Sequence, residues 1–417
     1  MGKNKFEQGL LWNYLSVGFL AVGGFIFSTI IMVFYDAEVL GVFNRVYAYY
    51  IVLSQIAVWG IHMSVVRYVS EKATDKDKVK IIFSTAMILV VFISIAIILC
   101  IIIIQYFLSM DMMFKKGIYC ILPALCFFSM NKVITSLMNG MSHMKWYAII
   151  QSARNIFIAI GILIVSFTRA DGGFLPISFS IAEFLILLIE LRYLFKNSLF
   201  SLRVSLYWIK THFLFGTKIL PANFILELNT KIDIICIGFL TNNNSLVGIY
   251  SFAALFAEGF YQLAVVIRRS INPLITQKYF KKELSKKEFG KMRTIIKFSV
   301  PVALVVDCVI VAFVSCLCKI PKFYEYGVGI GPLFILCTGI ALNYRGIIMG
   351  NSLSQTGFPL EESIVNLFSA AVNFVLNLIL IYYWGLWGAA LATACSYFVY
   401  TFILKHFMKK IKKEINI

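Results

Sequence analysis

Lys132, Arg154, Glu183, Glu227, Glu258 and Asp307 each lie near the middle of a long apolar run, in six separate stretches of the chain. Lys231 follows Glu227 by about a turn. A charge at the centre of a membrane-spanning helix costs roughly 2.5 to 3.5 kcal/mol on insertion scales, so groups repeated at this depth cannot all face lipid. They must face one another or water. The chemistry they offer is electrostatic: cations attract anions, and acids released from a pair take up protons. Arg45, Arg67, Glu190, Lys218 and Arg345 sit nearer the ends of their runs. For Arg67, Glu190 and Arg345 the expectation is a side chain that reaches the cytoplasmic interface.

The stretch LELNTKIDIICIGFL at 226–240 is the most informative. Asn223, Glu227 and Lys231 recur at i, i+4 and i+8 and share one helical face, whereas Lys218, Asn229 and Asp233 fall on nearly the opposite face. One face is expected to meet a wet space between two halves of the protein, and the other to pair within its own half. The competing reading makes Glu227 and Lys231 a buried ion pair that only fixes packing. The wet face is expected to be the one that carries Lys231.

The elements that must position these groups are membrane helices. The 417 residues have a mean hydropathy of +0.86, with 60% hydrophobic and only 14% charged side chains. Apolar runs of the roughly 20 residues needed to cross a bilayer recur throughout. They fall at about 10–34, 42–66, 80–108, 117–140, 146–168, 173–195, 214–240, 247–268, 295–317, 327–349, 363–383 and 386–406. Their continuity excludes the short alternating strands of a membrane barrel. The first run follows Lys3 and Lys5 without a small-residue cleavage site and is read as an uncleaved helix.

The net charge of +18 follows the membrane rather than nucleic acid. Lys72, Lys76, Lys78 and Lys80, and Lys405, Lys409, Lys410, Lys412 and Lys413, fall on one side; the other side holds few basic residues, among them Lys115, Lys116, Arg169, Lys319 and Lys322. This positive-inside bias places both termini in the cytoplasm. The densest basic segment, 268–297, reads as topology plus a solvated amphipathic helix with Leu284, Phe289 and Met292 toward the membrane, the other reading being a site for anionic lipid or a partner. The nine cysteines lie in or beside apolar runs and do not form a disulfide framework, and the four histidines lack ligand spacing, so no metal site is expected.

Internal similarity organises the spans. LGVFNRVYA from Leu40 parallels VGIYSFAAL from Val247, SVVRYVSEK at 64–72 parallels PLITQKYFKK at 273–282, and the sixth and twelfth runs begin alike. Three matches in the same order at about half the chain length indicate duplication. The expected fold is an all-α integral membrane protein of twelve transmembrane helices in two six-helix bundles, related by a pseudo-twofold along the membrane normal. The expected division is 1–196, a cytoplasmic linker at 197–213 with Leu199, Leu202 and Trp208 on the bilayer surface, and 214–417.

DIICIGFLTNNNSLVGIYSFAAL at 233–255, INPLITQKYF at 271–280, VNFVLNLILIYYWGLWGAALATACS at 372–396 and the stretch 38–71 together resemble the polysaccharide biosynthesis branch of the multidrug/oligosaccharidyl-lipid/polysaccharide (MOP) exporter superfamily. Length and span count are similar to O-antigen and capsule repeat-unit flippases. The resemblance implies translocation of an undecaprenyl-pyrophosphate-linked oligosaccharide across the bacterial inner membrane. It implies alternating access through a central cationic cavity, with H+ or Na+ as coupling ion, no other cofactor, and polymerase and chain-length proteins of the same pathway as partners.

On that reading Arg154, Lys231, Lys132, Lys218 and Arg45 are the candidate contacts for pyrophosphate. Glu227, Glu258, Asp307 and Asp233 are the ion-coupling candidates. Trp59, Asn139, Gln151 and Tyr261 are candidates for sugar contact. Two alternatives remain in view. An exporter of organic cations would want an acidic cavity, against the excess of intramembrane Lys and Arg. A pathway enzyme such as a polymerase would want a long outer loop or a catalytic constellation, and the sequence offers neither.

Overall fold

The computed structural model describes residues 23–108, 110–281 and 286–415, the side chains of 281–289 and 410–415 excepted. Among these residues the secondary structure is entirely helical. The chain divides into two compact units, Met1–Leu228 and Asn229–Ile417. The division therefore falls inside one long helix.

The first unit contains α1 (Gly23–Phe34), α2 (Ala37–Val58), α3 (Ile61–Glu71), α4 (Lys76–Phe107), α5 (Met112–Gly140), α6 (Met144–Phe167), α7 (Ile177–Lys196) and the start of α8 (Leu206–Thr241). Aspartates start several of these helices, as orphan N–H groups and the helix dipole favour. Asp36 accepts from the Val39 amide at 3.0 Å, Asp75 from Lys78 at 3.1 Å and Asp111 from Phe114 at 3.0 Å. Asp171, in the loop before α7, accepts from Lys116 Nζ at 2.6 Å, and this contact holds its carboxyl below the usual range.

The apolar run at 42–66 is broken rather than straight. α2 and α3 meet at 48°, with Trp59 at φ 50° and Gly60 at φ 66°. The left-handed step at Trp59 is unusual for a bulky residue, and its surroundings hold it. The Trp59 indole donates to Thr217 Oγ1 at 3.0 Å and stacks on Phe213 at 5.5 Å. Gly216 passes so close beneath the bend that a Cβ there would lie 2.0 Å from the Trp59 carbonyl oxygen. Gly216→Ala is therefore expected to force α8 away from the bend at about 1–3 kcal/mol, the usual cost of overpacking. A melting temperature equal to that of the parent protein would show that the contact relaxes freely.

The core of this unit gathers Ile61, Val65, Ile82, Val133, Leu137 and Ile186, with Leu199 at 1% exposure and Trp208 packed against them. The surface placement expected for Leu199 and Trp208 is thus corrected. The connector turns inward, where the hydrophobic gain is larger. Leu202 is exposed as expected.

The second unit takes the rest of α8, then α9 (Asn244–Lys281), α10 (Lys286–Leu317), a 3-10 segment (Pro321–Gly329), α11 (Ile330–Leu342), the short α12 (Tyr344–Ile348) and α13 (Ser352–Gln355), and α14 (Pro359–Ile415). The last is two helices joined at Gly385, which lies at φ 53° and ψ −125°. That conformation is open to glycine and strained for other residues. α9 continues well past its apolar run into the basic segment. Met292 is 1% exposed and packs inward rather than toward lipid; Leu284 and Phe289 lie outside the described side chains.

Among the described residues, eight helices are long and apolar enough to cross a membrane, or nine with the α2–α3 pair. α8 is as long but carries Lys218, Glu227, Lys231 and Asp233. With α1, α8 and the second half of α14 added, the order is consistent with twelve crossings.

Candidate functional site

Two polar clusters lie among these apolar helices, one in each unit. The first is built where five helices turn polar stripes inward. α2 supplies Tyr47, Tyr50, Ser54 and Gln55, and α5 supplies Phe128 and Lys132. α6 supplies Gln151, Arg154 and Asn155, while Glu183 comes from α7 and Glu227 from α8. The repeats at i, i+3, i+4 and i+7 align each set on one helical face. Together they line a cavity of about 450 Å³.

At its wall Arg154 Nε lies 2.8 Å from Glu183 Oε1, with the two side chains 10% and 2% exposed. Arg154 Nη1 also donates to Gln151 Oε1 at 2.7 Å. Asn131 donates to Glu183 Oε2 at 2.7 Å and to the Glu183 carbonyl at 2.9 Å, and the Tyr50 hydroxyl donates to Oε1 at 3.4 Å. Phe128 lies beneath both cations, 5.3 Å from the Arg154 guanidinium and 5.9 Å from Lys132 Nζ. The aromatic face adds cation–π attraction without neutralising charge. Lys132 makes no ion pair within 4 Å among the described residues.

Glu190 does not reach an interface. It lies two turns from Glu183 on the same face of α7, fully buried, and its carboxylate oxygens meet no hydrogen-bond donor among the described residues. The helical repeat of seven, which aligns it with Glu183, outweighs its distance from the span centre. Arg67 and Arg345 do lie exposed, Arg67 over the Tyr68 and Phe215 rings.

The second cluster surrounds Asp233. Its Oδ2 accepts from the Tyr250 hydroxyl at 2.7 Å and Thr393 Oγ1 at 2.8 Å, and its Oδ1 from Asn377 Nδ2 at 3.4 Å. Asn373 Nδ2 donates to Asn229 Oδ1 at 3.1 Å, and Asn377 Nδ2 to Asn373 Oδ1 at 2.9 Å. Asn373 and Asn377 are 2% and 0% exposed, and Asn377 Oδ1 is buried with no donor among the described residues. The break at Gly385 folds α14 back, so that Thr393 from its second half meets residues of its first. The result is a carboxylate that accepts from two hydroxyls and an amide N–H.

The other expected residues are dispersed. Arg45 is 8% exposed and lies 4.2 Å over the Phe114 ring, outside the cavity lined by Arg154 and Lys132. Lys218 is exposed on α8, also outside it. Lys231 Nζ lies 3.2 Å from Glu258 Oε1 in the second unit. Glu258 is itself half-exposed. Asp307 is 2% exposed against α11, accepting from Thr338 at 2.9 Å. Of the two faces of α8, the one carrying Asn229 and Asp233 pairs within its own unit, and Glu227 on the other lines the first cavity. Gln151 lines that cavity, whereas Trp59 holds the α2–α3 bend and Tyr261 stacks on Tyr397 at 5.9 Å.

Sequence reading missed Tyr50, Asn131, Asn373, Asn377 and Thr393. The pair Asn373 and Asn377 was visible as two amides at i and i+4 inside VNFVLNLIL. Among the described residues no group of three or more His, Cys, Asp or Glu side chains could hold a metal.

A multi-pass helical membrane protein with charged clusters buried in its spans is the class this fold defines. The chain belongs to the polysaccharide biosynthesis protein family, whose profile matches residues 6–280. None of the curated proteins matches it in sequence. Among solved structures, lipid II flippase MurJ in an inward closed conformation is similar, at 16% identity and TM-score 0.75 over 98% of this chain and 90% of that one. An inward-facing multidrug resistance MATE family transporter of the MOP superfamily shows 15% identity and TM-score 0.70, over 94% and 96% of the two chains. A MOP superfamily transporter from Pyrococcus furiosus shows 13% identity and TM-score 0.63, over 95% and 94%. The fold is thus that of the MOP superfamily.

Proposed function

We propose that this protein is a flippase that carries undecaprenyl-pyrophosphate-linked oligosaccharide repeat units across the bacterial inner membrane. The cavity of the first unit supports this reading: Arg154 and Lys132 line it together with Gln55, Gln151, Asn155 and Tyr47, a set of cations for a pyrophosphate and polar groups for sugar hydroxyls. Its volume lies within the ~300–1,000 Å³ of small-molecule sites. Family membership and the likeness to a lipid II flippase support the same substrate class.

Arg154 is partly neutralised by Glu183, so Lys132 is the cation more available to an incoming phosphate. A phosphate that approaches Arg154 competes with Glu183, and binding would loosen a contact between α6 and α7. Alternating exposure of the cavity to the two sides of the membrane then moves the head group while the lipid tail stays in the bilayer. The coupling ion is taken up at Asp233. Asp233 supplies the charge, and the buried Asn377 Oδ1, which meets no donor among the described residues, supplies a further oxygen of the kind a hard cation takes.

Lys132→Gln is expected to cut transport about tenfold, equivalent to ~1.4 kcal/mol, and Lys218→Gln to leave it unchanged. The assay is surface polysaccharide in a strain that depends on this gene, with membrane levels matched. Normal polymer with Lys132→Gln would remove the anion site. Vesicles in which the protein moves organic cations and not lipid-linked sugar would replace the reading altogether.

A further inference from the structure

At the basic end of the second unit a separate cavity of about 330 Å³ lies between α10, α12 and α14. Four cations from three elements line it: Arg293 and Lys297 from α10, Arg345 from α12 and Lys405 from α14. No carboxylate is among its lining residues, and none of the four takes part in an ion pair among the described residues. Its floor is apolar, formed by the buried side chains of Ile296, Met349, Leu404 and Met408.

The site is built in advance. Arg345 donates from Nε to the Ile296 carbonyl at 3.1 Å and from Nη2 to the Lys297 carbonyl at 2.8 Å, which fixes its guanidinium against α10. Gly346 lets α12 lie close to α14, since a Cβ there would meet Thr401 Oγ1 at 2.2 Å. Arg293 and Lys297 stand one turn apart on one face of α10. Topology alone would require only that cations flank the spans. It would not require them to converge from three elements on one apolar-floored cavity.

The surroundings specify the ligand further. Beyond the cations, α10 exposes Phe298, Val302, Val305 and Val309 in a stripe, and α14 exposes Phe398 and Phe402 on the face of Lys405. A cationic pocket that opens beside two exposed apolar stripes matches a phosphate head group joined to acyl chains better than a free anion, because the stripes add burial that a free anion lacks. We infer that this cavity is a binding site for the head group of an anionic membrane phospholipid. It is separate from the cavity of the first unit and does not depend on the substrate proposed above.

The test uses the full-length protein purified in detergent, with bound lipid counted by native mass spectrometry. Short-chain phosphatidylglycerol, short-chain phosphatidylcholine and inorganic phosphate are titrated in turn. Phosphatidylglycerol is expected to bind saturably and at least tenfold more tightly than phosphatidylcholine, with phosphate unable to displace it at equal concentration. Lys297→Gln combined with Lys405→Gln is expected to weaken phosphatidylglycerol binding at least tenfold, and Lys278→Gln on α9 to leave it unchanged. Both replaced lysines are exposed, so the fold should survive. Equal affinity for the two lipids, or undiminished binding by the double variant, overturns the site. Displacement by equimolar phosphate overturns the lipid assignment in favour of a free-anion site.

Discussion

Arg154→Ala is expected to abolish surface polysaccharide and to destabilise the first unit; adding Glu183→Gln is expected to restore stability but not transport. Removing the guanidinium leaves Glu183 at 2% side-chain exposure, two turns from the equally buried Glu190. Breaking a buried ion pair from one side costs about 3–5 kcal/mol, because the remaining charge is uncompensated. Asn131 and Tyr50 still donate to Glu183, which places the expected loss toward the lower end of that range. Neutralising Glu183 removes the stranded charge, whereas no change at Glu183 replaces the lost cation in the cavity. Melting of the purified variants gives the stability, and polymer assays in the dependent strain give the transport. Recovery of both by the double variant would make the pair purely structural.

Asp233→Asn is expected to leave folding intact and to remove gradient-driven transport. Asparagine keeps an oxygen to accept from Tyr250 and Thr393, so most of the hydrogen-bonded ring survives. It loses the negative charge on which a coupling cation depends. In the parent protein, sodium chloride is expected to raise the melting temperature relative to choline chloride, since a ligand that binds only the folded state at a hundred times its Kd stabilises by about 2.7 kcal/mol. That shift is expected to vanish in the variant. Equal sodium responses would show Asp233 to be a hydrogen-bond acceptor with no part in coupling. Asp233→Ala should behave differently from Asp233→Asn, because it leaves the buried Tyr250 hydroxyl an unpaired donor at about 1–3 kcal/mol.

Much of this was legible before any coordinates. Runs of apolar residues determine membrane helices locally, because each must satisfy its own backbone hydrogen bonds in lipid. The midspan charges Lys132, Arg154 and Glu183 were recognisable as members of a buried set because none of them can face hydrocarbon. The two faces of α8 were readable from the spacing of Asn223, Glu227 and Lys231 against Asn229 and Asp233, and the structure shows the Asp233 face pairing within its own unit. The breaks were not readable. Trp59 and Gly60 bend one span because Gly216, far away in sequence, passes beneath them.

By itself the sequence determined the all-helical membrane architecture and the helical face on which each charge lies, since hydropathy and a 3.6-residue period are local properties. Which charges meet was decided only by tertiary structure. Lys231 meets Glu258, Arg45 lies over Phe114 outside the cavity, and Glu190 is buried two turns from Glu183. The rotation of each helix about its axis depends on neighbours distant in sequence, so the spacing of residues can align a stripe but cannot say what the stripe will face.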